Sequence, residues 1–323
     1  INHAGRQTAS QTTGSPIVSS SAVRCPLREE TPRALTAKDI HELIGAFAKA
    51  AERVKTAGAD GVEIHMAHGY LLNQFLSPVV NKRDDKFGGS FDNRMKVPLK
   101  TLRAVRKVVG KDFPISCRIS GDEYLDGGLG LSDTQKVAQA LEKNGADVIH
   151  VSACMSSSPF PMIPHYYMKE GTFVHLAAGI KSVVDIPVIC VGRIRNPKLA
   201  EEIVASGKAD LVSMGRALIA DPQMPNKARA GQFEKIVPCI SCNRCSLSLV
   251  KVGSLRCTVN PEVSRETWLK VDKKADRPKK VWIIGAGPAG MKAAQVAALR
   301  GHTVTLFEKQ NTLGGRFRLA ALP

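Results

Sequence analysis

The stretch GVEIHMAHGYLLNQFLSP, residues 61–78, places His65, His68 and Tyr70 within six residues. A neutral imidazole donates through one ring nitrogen and accepts through the other. Two imidazoles beside a phenol can therefore bind an oxygen that gains charge and supply a proton nearby. A zinc-protease arrangement fails, because Met66 stands where HExxH requires a glutamate. Core packing explains one histidine better than two with a tyrosine. Gly69 permits a turn that brings His68 and Tyr70 onto the rim where His65 leaves its strand, so the stretch reads as a clamp for a substrate carbonyl.

A second reactive group is Cys239, Cys242, Cys245 and Cys257, spaced C-x2-C-x2-C-x11-C. Zinc accepts four thiolates, but structural zinc more often uses two separated pairs. Three cysteines at short gaps with a distant fourth fit a [4Fe–4S] cluster better. Such a set suits a reducing compartment, and the expected location is cytoplasmic. Cys25, Cys117, Cys154 and Cys190 are scattered and read as small buried thiols.

Gly285-Ala286-Gly287-Pro288-Ala289-Gly290 follows the apolar run VWII, opens a helical pattern and precedes a strand pattern ending in Glu308. These glycines let a pyrophosphate approach a helix N-terminus, and the acid can take a ribose hydroxyl. Gly314-Gly315-Arg316 is a second turn that favours FAD over a mobile NAD. Arg118 ends the pattern PISCRIS, where a fixed guanidinium can stabilise a reduced flavin ring or close a strand-end salt bridge. Gly192-Arg193 and Gly215-Arg216 each stand between a strand and a helix. Each alone is explained as a turn, but together, on the last two strands, they favour backbone N–H groups held toward a phosphate.

The elements that must position these groups alternate from residue 39 onward. KDIHELIGAFAKAAERVKTAG is an amphipathic helix, capped by Thr36 or Asp39 and stopped by Gly58. DGVEIH, PISCRIS, ADVIHVS, PVICVG and ADLVSMGR are short, nearly continuous apolar strands separated by helical patterns, as in a parallel sheet. Polar and glycine residues recur at their C-terminal ends, which favours a (β/α)₈ barrel over an open doubly wound sheet. INHAGRQ then reads as the tail of a third strand, with the first strands missing. The expected α/β organisation is a partial TIM barrel over 1–232, an iron–sulfur segment over 233–263 and a charged linker over 264–280. The start of a Rossmann-like FAD domain, itself truncated, follows over 281–323.

Hydrophobic content of 43% and charged content of 23% suit a soluble globular chain. No run reaches the ~18 apolar residues of a membrane span. The net charge is 46 − 29 = +17. No aromatic-studded basic strand or recognition-helix pattern accompanies it, so anionic cofactors and acyl-CoA thioesters are better partners for it than nucleic acid.

INHAGRQ, GVEIHMAHGYLLNQFLSPVVNKRDDKFGGSFDNR, RISGDEY, VGRI and MGRALIADP resemble the Old Yellow Enzyme family of FMN-dependent reductases. The cysteine segment and GAGPAG…FE…LGG narrow the resemblance to its multidomain branch, which holds 2,4-dienoyl-CoA reductase, 2-enoate reductase and trimethylamine dehydrogenase. The resemblance implies FMN over a barrel mouth, with Arg118 at its pyrimidine edge and Gly192, Arg193, Gly215 and Arg216 at its phosphate. It implies that His65 and His68 hold the substrate carbonyl, and that Tyr70 protonates the α-carbon. Cys239, Cys242, Cys245 and Cys257 would hold the cluster. Gly285, Gly287, Gly290, Glu308 and Arg316 would contact FAD, with NAD(P)H as electron donor. The histidine pair is the form usual in enone and enoate reducers. A tyrosine at position 65 would instead imply an amine dehydrogenase. The resemblance leaves a homo-oligomer open and implies that these residues alone are inactive. From another class, a basic zinc-binding interaction module is the remote alternative.

Overall fold

The computed structural model describes residues 1–321 and divides into two compact units, Ile1–Asn243 and Arg244–Pro323, described separately below. In the first unit, strands β1 (Val62–Met66), β2 (Ile115–Ser120), β3 (Val148–Ser152), β4 (Val188–Cys190) and β5 (Leu211–Val212) form one parallel sheet in chain order. Helices α1 (Ala37–Thr56), α2 (Leu71–Leu76), α3 (Phe91–Val109), α4 (Leu131–Lys143), α5 (Val174–Lys181), α6 (Pro197–Ala205) and α7 (Gly215–Ala220) alternate with them. A doubly wound sheet reverses its order at a switch point. An order that never reverses, with right-handed crossovers, keeps every helix on one face, as in a (β/α)₈ barrel. Ile1 runs beside β1, its ammonium donating to Glu63 O at 2.6 Å and its carbonyl accepting from His65 N at 3.0 Å.

The strands alternate in character, unlike the near-continuous apolar runs expected from the sequence. Ile64, Met66, Ile115, Cys117, Ile119, Ile149 and Val151 point one way and share a core with Phe47, Ala51, Leu102, Val105, Leu141 and Ile180 of the helices. Each large side chain buried there contributes about 1.5–3 kcal/mol. The opposite face carries Glu63, His65, Ser116, Arg118, Ser120, His150 and Ser152, because successive strand residues point to opposite sides. That face is the inside of the barrel wall, and it is polar.

Local signals explain the boundaries. Thr36 and Asp39 form a reciprocal capping box at the start of α1, and Gly58 follows its end in a left-handed conformation at φ 83°. The last strand is shorter than ADLVSMGR suggests, since β5 stops at Val212 and α7 already begins at Gly215. Cys25, Cys117, Cys154 and Cys190 are buried as expected, and burial pushes the thiols of Cys154 and Cys190 up to about 12.

In the second unit, β6 (Lys280–Ile284) and β7 (Thr303–Phe307) pair in parallel around α8 (Pro288–Leu299), a strand–turn–helix–strand arrangement. Among the described residues no helix is long and apolar enough to cross a membrane.

Candidate active site

His65 lies at the mouth end of β1, and the chain turns at once through His68 and Gly69, which take left-handed φ values of 63° and 74°. The turn brings three rings together. The His65 centroid is 5.0 Å from both His68 and Tyr70, and His68 is 6.5 Å from Tyr70. The hydrogen bonds assign the tautomers. Ala67 N donates to His65 Nδ1 at 3.2 Å, so the His65 proton sits on Nε2 and points at His68 Nδ1, 3.2 Å away. His68 therefore carries its proton on Nε2 and gives it to Ser152 Oγ at 2.7 Å. Burial, with the nearby Arg118 charge second, lowers His65 to about 4 and His68 well below its ordinary value. Both rings are neutral at pH 7.

The three rings read as a clamp thus meet in one cluster, with an internal arrangement different from the expected one. The two N–H groups do not converge on one empty point: His65 donates to His68, and His68 donates to a serine. His68 is buried while His65 and Tyr70 are half-exposed, which leaves His65 as the accessible imidazole.

Residues that sequence reasoning passed over hold this turn. Asn73 accepts from Gly69 N at 2.5 Å and donates to Glu123 at 3.0 Å, and Gln74 donates to Gly69 O at 2.6 Å. Glu123 is buried and also accepts from Ser77 at 2.8 Å and Leu129 N at 2.9 Å. Burial raises its pKa against those bonds. Ser120 accepts from His68 N at 2.9 Å. The polar letters of YLLNQFLSP therefore serve to lock the turn.

On the inward face, His65, Arg118 and His150 are register partners across β1, β2 and β3. Glu63 accepts from His150 Nδ1 at 2.8 Å and from Ser116 at 3.0 Å. Among the described residues, Arg118 Nε and His150 Nε2 are buried without a hydrogen-bond partner. A buried guanidinium N–H in want of an acceptor fits the carbonyl-bearing pyrimidine edge of a flavin, so this face is compatible with FMN. Gly192 takes φ 133°, and a Cβ there would lie 2.8 Å from the Phe173 ring, so the position demands glycine. The guanidinium groups beside it are committed to protein. Arg193 bonds Met168 O and Ser241, and Arg216 bonds Pro164 O at 2.6 Å and Asn243 at 2.5 Å. For a phosphate, backbone N–H groups at Gly192-Arg193 and Gly215-Arg216 are what these segments offer.

The cysteine segment straddles the division between the units: Cys239 and Cys242 lie in the first, Cys245 and Cys257 in the second. Among the described residues no group of three or more His, Cys, Asp or Glu side chains is placed to hold a metal ion.

In the second unit, Gly285 has φ 95°, and a Cβ on Gly290 would lie 1.9 Å from Gly285 O. The helix can begin so close to the strand end only without that side chain. Positions 285 and 287 open on free space, and Gly285, Glu308 and Arg316 line a cavity of about 930 Å³. Glu308 accepts from Ala286 N at 2.8 Å and Gln310 N at 3.1 Å, which lowers its pKa and keeps it ionised against the turn. This geometry fits a dinucleotide.

Residues 1–234 match the NADH:flavin oxidoreductase / NADH oxidase family, and residues 283–322 match an NAD(P)-binding Rossmann-like domain. An NADH oxidase of Thermoanaerobacter brockii is 47% identical over 99% of this chain and 50% of its own length. A cinnamate reductase of Clostridium sporogenes is 38% identical over 91% of this chain and 46% of its own. Among solved structures, a 2-naphthoyl-CoA reductase superposes with a TM-score of 0.92 at 34% identity, covering 99% of this chain and 51% of that one. A histamine dehydrogenase from Rhizobium sp. 4-9 gives 0.88 at 31%, covering 100% and 48%. The chain spans about half the length of these relatives.

Proposed function

Since this chain belongs to the NADH:flavin oxidoreductase / NADH oxidase family, we propose that the whole protein reduces an activated C=C bond, in an enone or enoate or in a 2,4-dienoyl-CoA thioester. The carrying observation is the cluster of neutral His65, neutral His68 and Tyr70 on the same inward face as Arg118. Bound FMN would supply hydride to the β-carbon. His65 Nε2–H turns from His68 to the substrate carbonyl and polarises it, costing one hydrogen bond and forming another of similar strength. His68, pinned to Ser152, supports His65 from beneath; its own donation to the carbonyl requires release of the serine. Tyr70 packs against His65 at 5.0 Å and lies 6.5 Å from His68, and it supplies the α-carbon proton. Arg118 holds the pyrimidine edge, and backbone at Gly192-Arg193 and Gly215-Arg216 takes the phosphate.

The dinucleotide assigned to Gly285, Gly287, Gly290, Glu308 and Arg316 is FAD, with NAD(P)H as the ultimate donor; the turn at Gly314-Gly315 supports FAD over a freely exchanging nucleotide. The spacing of Cys239, Cys242, Cys245 and Cys257 supports a [4Fe–4S] cluster, which would pass single electrons when bound. Functionally, 1–232 is the flavin and substrate region, 233–263 the metal segment, 264–280 a linker and 281–323 the dinucleotide region. A reducing cytoplasm suits the four thiolates, and the substrate is a small molecule, not nucleic acid or a membrane.

The test is anaerobic purification of the full-length protein, with flavin, iron and sulfide analysis, then mixing of the reduced flavin with enones, enoates and dienoyl-CoA thioesters. Rapid reoxidation by one of these classes is expected. Bleaching of the oxidised enzyme by an amine, with no reoxidation by any alkene, would replace the reading with an amine dehydrogenase. Zinc without flavin or iron would leave a binding module.

A further inference from the structure

Glu63 has no part in the mechanism above, yet it is a carboxylate on the inward face, two residues from His65 on the same strand. Its Oε2 accepts from two neighbouring strands at once, from Ser116 of β2 at 3.0 Å and His150 of β3 at 2.8 Å. His150 is almost wholly buried, and apart from this bond its ring has no partner, Nε2 being left bare. A histidine held by one bond to one acid serves to orient that acid. Arg118 is paired in register with His65 on one side and His150 on the other, and it stands two residues along β2 from Ser116, the register partner of Glu63. The Arg118 guanidinium thus shares the inward face with a carboxylate one pleat away on the neighbouring strand, held in place by two hydrogen bonds.

We infer that Glu63, clamped by His150 and Ser116, is a positioning residue for Arg118 that offsets its charge and so sets how strongly the reduced flavin is stabilised. The inference rests on the flavin reading above. A guanidinium beside a flavin favours the reduced, anionic ring; a fixed carboxylate nearby opposes that preference. Glu63 therefore holds the flavin potential below the value that Arg118 alone would give, which keeps the bound flavin a ready hydride donor.

Glu63→Gln and Glu63→Asp, made in the full-length protein, separate charge from packing. The amide of glutamine still accepts from His150 and Ser116 but carries no charge; aspartate keeps the charge and shortens the reach. Spectroelectrochemical titration of the bound FMN is the readout. Glu63→Gln is expected to favour the reduced over the oxidised flavin by about tenfold, or about 30 mV more positive for a two-electron couple. Glu63→Asp is expected to stay near the wild-type potential. A purely structural role gives the opposite order, with Gln unchanged and Asp disturbed, and that result overturns the inference. A negative shift in Glu63→Gln overturns it equally. If Glu63→Gln does not accumulate as folded protein, the Ser116→Ala variant, which loosens the clamp without touching charge, is expected to shift the potential in the same direction by less; no shift there counts against the proposal. A full-length wild type that holds no FMN would instead refute the functional reading itself.

Discussion

The two units place their chemistry in different ways. In the dinucleotide turn, every residue the sequence singled out from Gly285 to Glu308 lies within one strand–helix–strand segment, and the decisive contact, Gly290 against Gly285 O, spans five positions. In the barrel wall the groups that meet are far apart in sequence: His68 bonds Ser152 across 84 positions and Glu63 bonds His150 across 87. Where the working contacts are local, a motif predicts the geometry. Where they cross strands, a motif predicts only which residues are available.

The largest effect is expected at the long-range site. His65→Ala combined with His68→Ala in the full-length protein should lower alkene turnover at least about 10²-fold. FMN content by absorbance should be retained; unchanged turnover would remove the imidazoles from the mechanism. At the local site, Gly290→Ala forces a Cβ into backbone 1.9 Å away. It should empty the dinucleotide site and cost on the order of 1–3 kcal/mol, with FAD lost and FMN kept when released flavins are separated by chromatography.

Protonation gives a third, intermediate effect. The folded pKa values of His65 and His68 lie below the ordinary 6.5, so between 6.5 and about 4 the unfolded chain binds more protons than the folded one. Their contribution is complete above pH 6.5 and is lost as pH falls toward 4. Urea midpoints should drop across that window, and His65→Gln with His68→Gln should flatten the slope. The smallest effect belongs to the capping box. Thr36→Ala should cost about 1 kcal/mol of stability by urea denaturation and leave flavin binding untouched.

Much of the fold was legible. Thr36, Asp39 and Gly58 bound α1 because capping and left-handed stops depend on neighbours three or four residues away. The barrel reading followed from residues at strand ends, and the unreversed strand order supports it. The polar inner face was missed, because strands were read for apolar content; the two-residue interval between Glu63 and His65, and between His150 and Ser152, was the available sign. Asn73 and Glu123 were missed because nothing near either in the chain announces a partner 50 residues off. The side-chain partners of Arg193 and Arg216 were not legible either, being set by how the chain returns near residues 164, 168, 241 and 243; the backbone N–H groups read for a phosphate are unaffected by them.

The sequence by itself determined which elements form, which turns require glycine, and that two imidazoles and a phenol stand together after a strand. The tertiary structure alone decided that His65 is the more accessible imidazole, that His68 is spent on Ser152, and that Glu63 is tied to Ser116 and His150. Each of these depends on the direction of a single N–H or lone pair, which is fixed by partners on neighbouring strands and not by residues nearby in the chain.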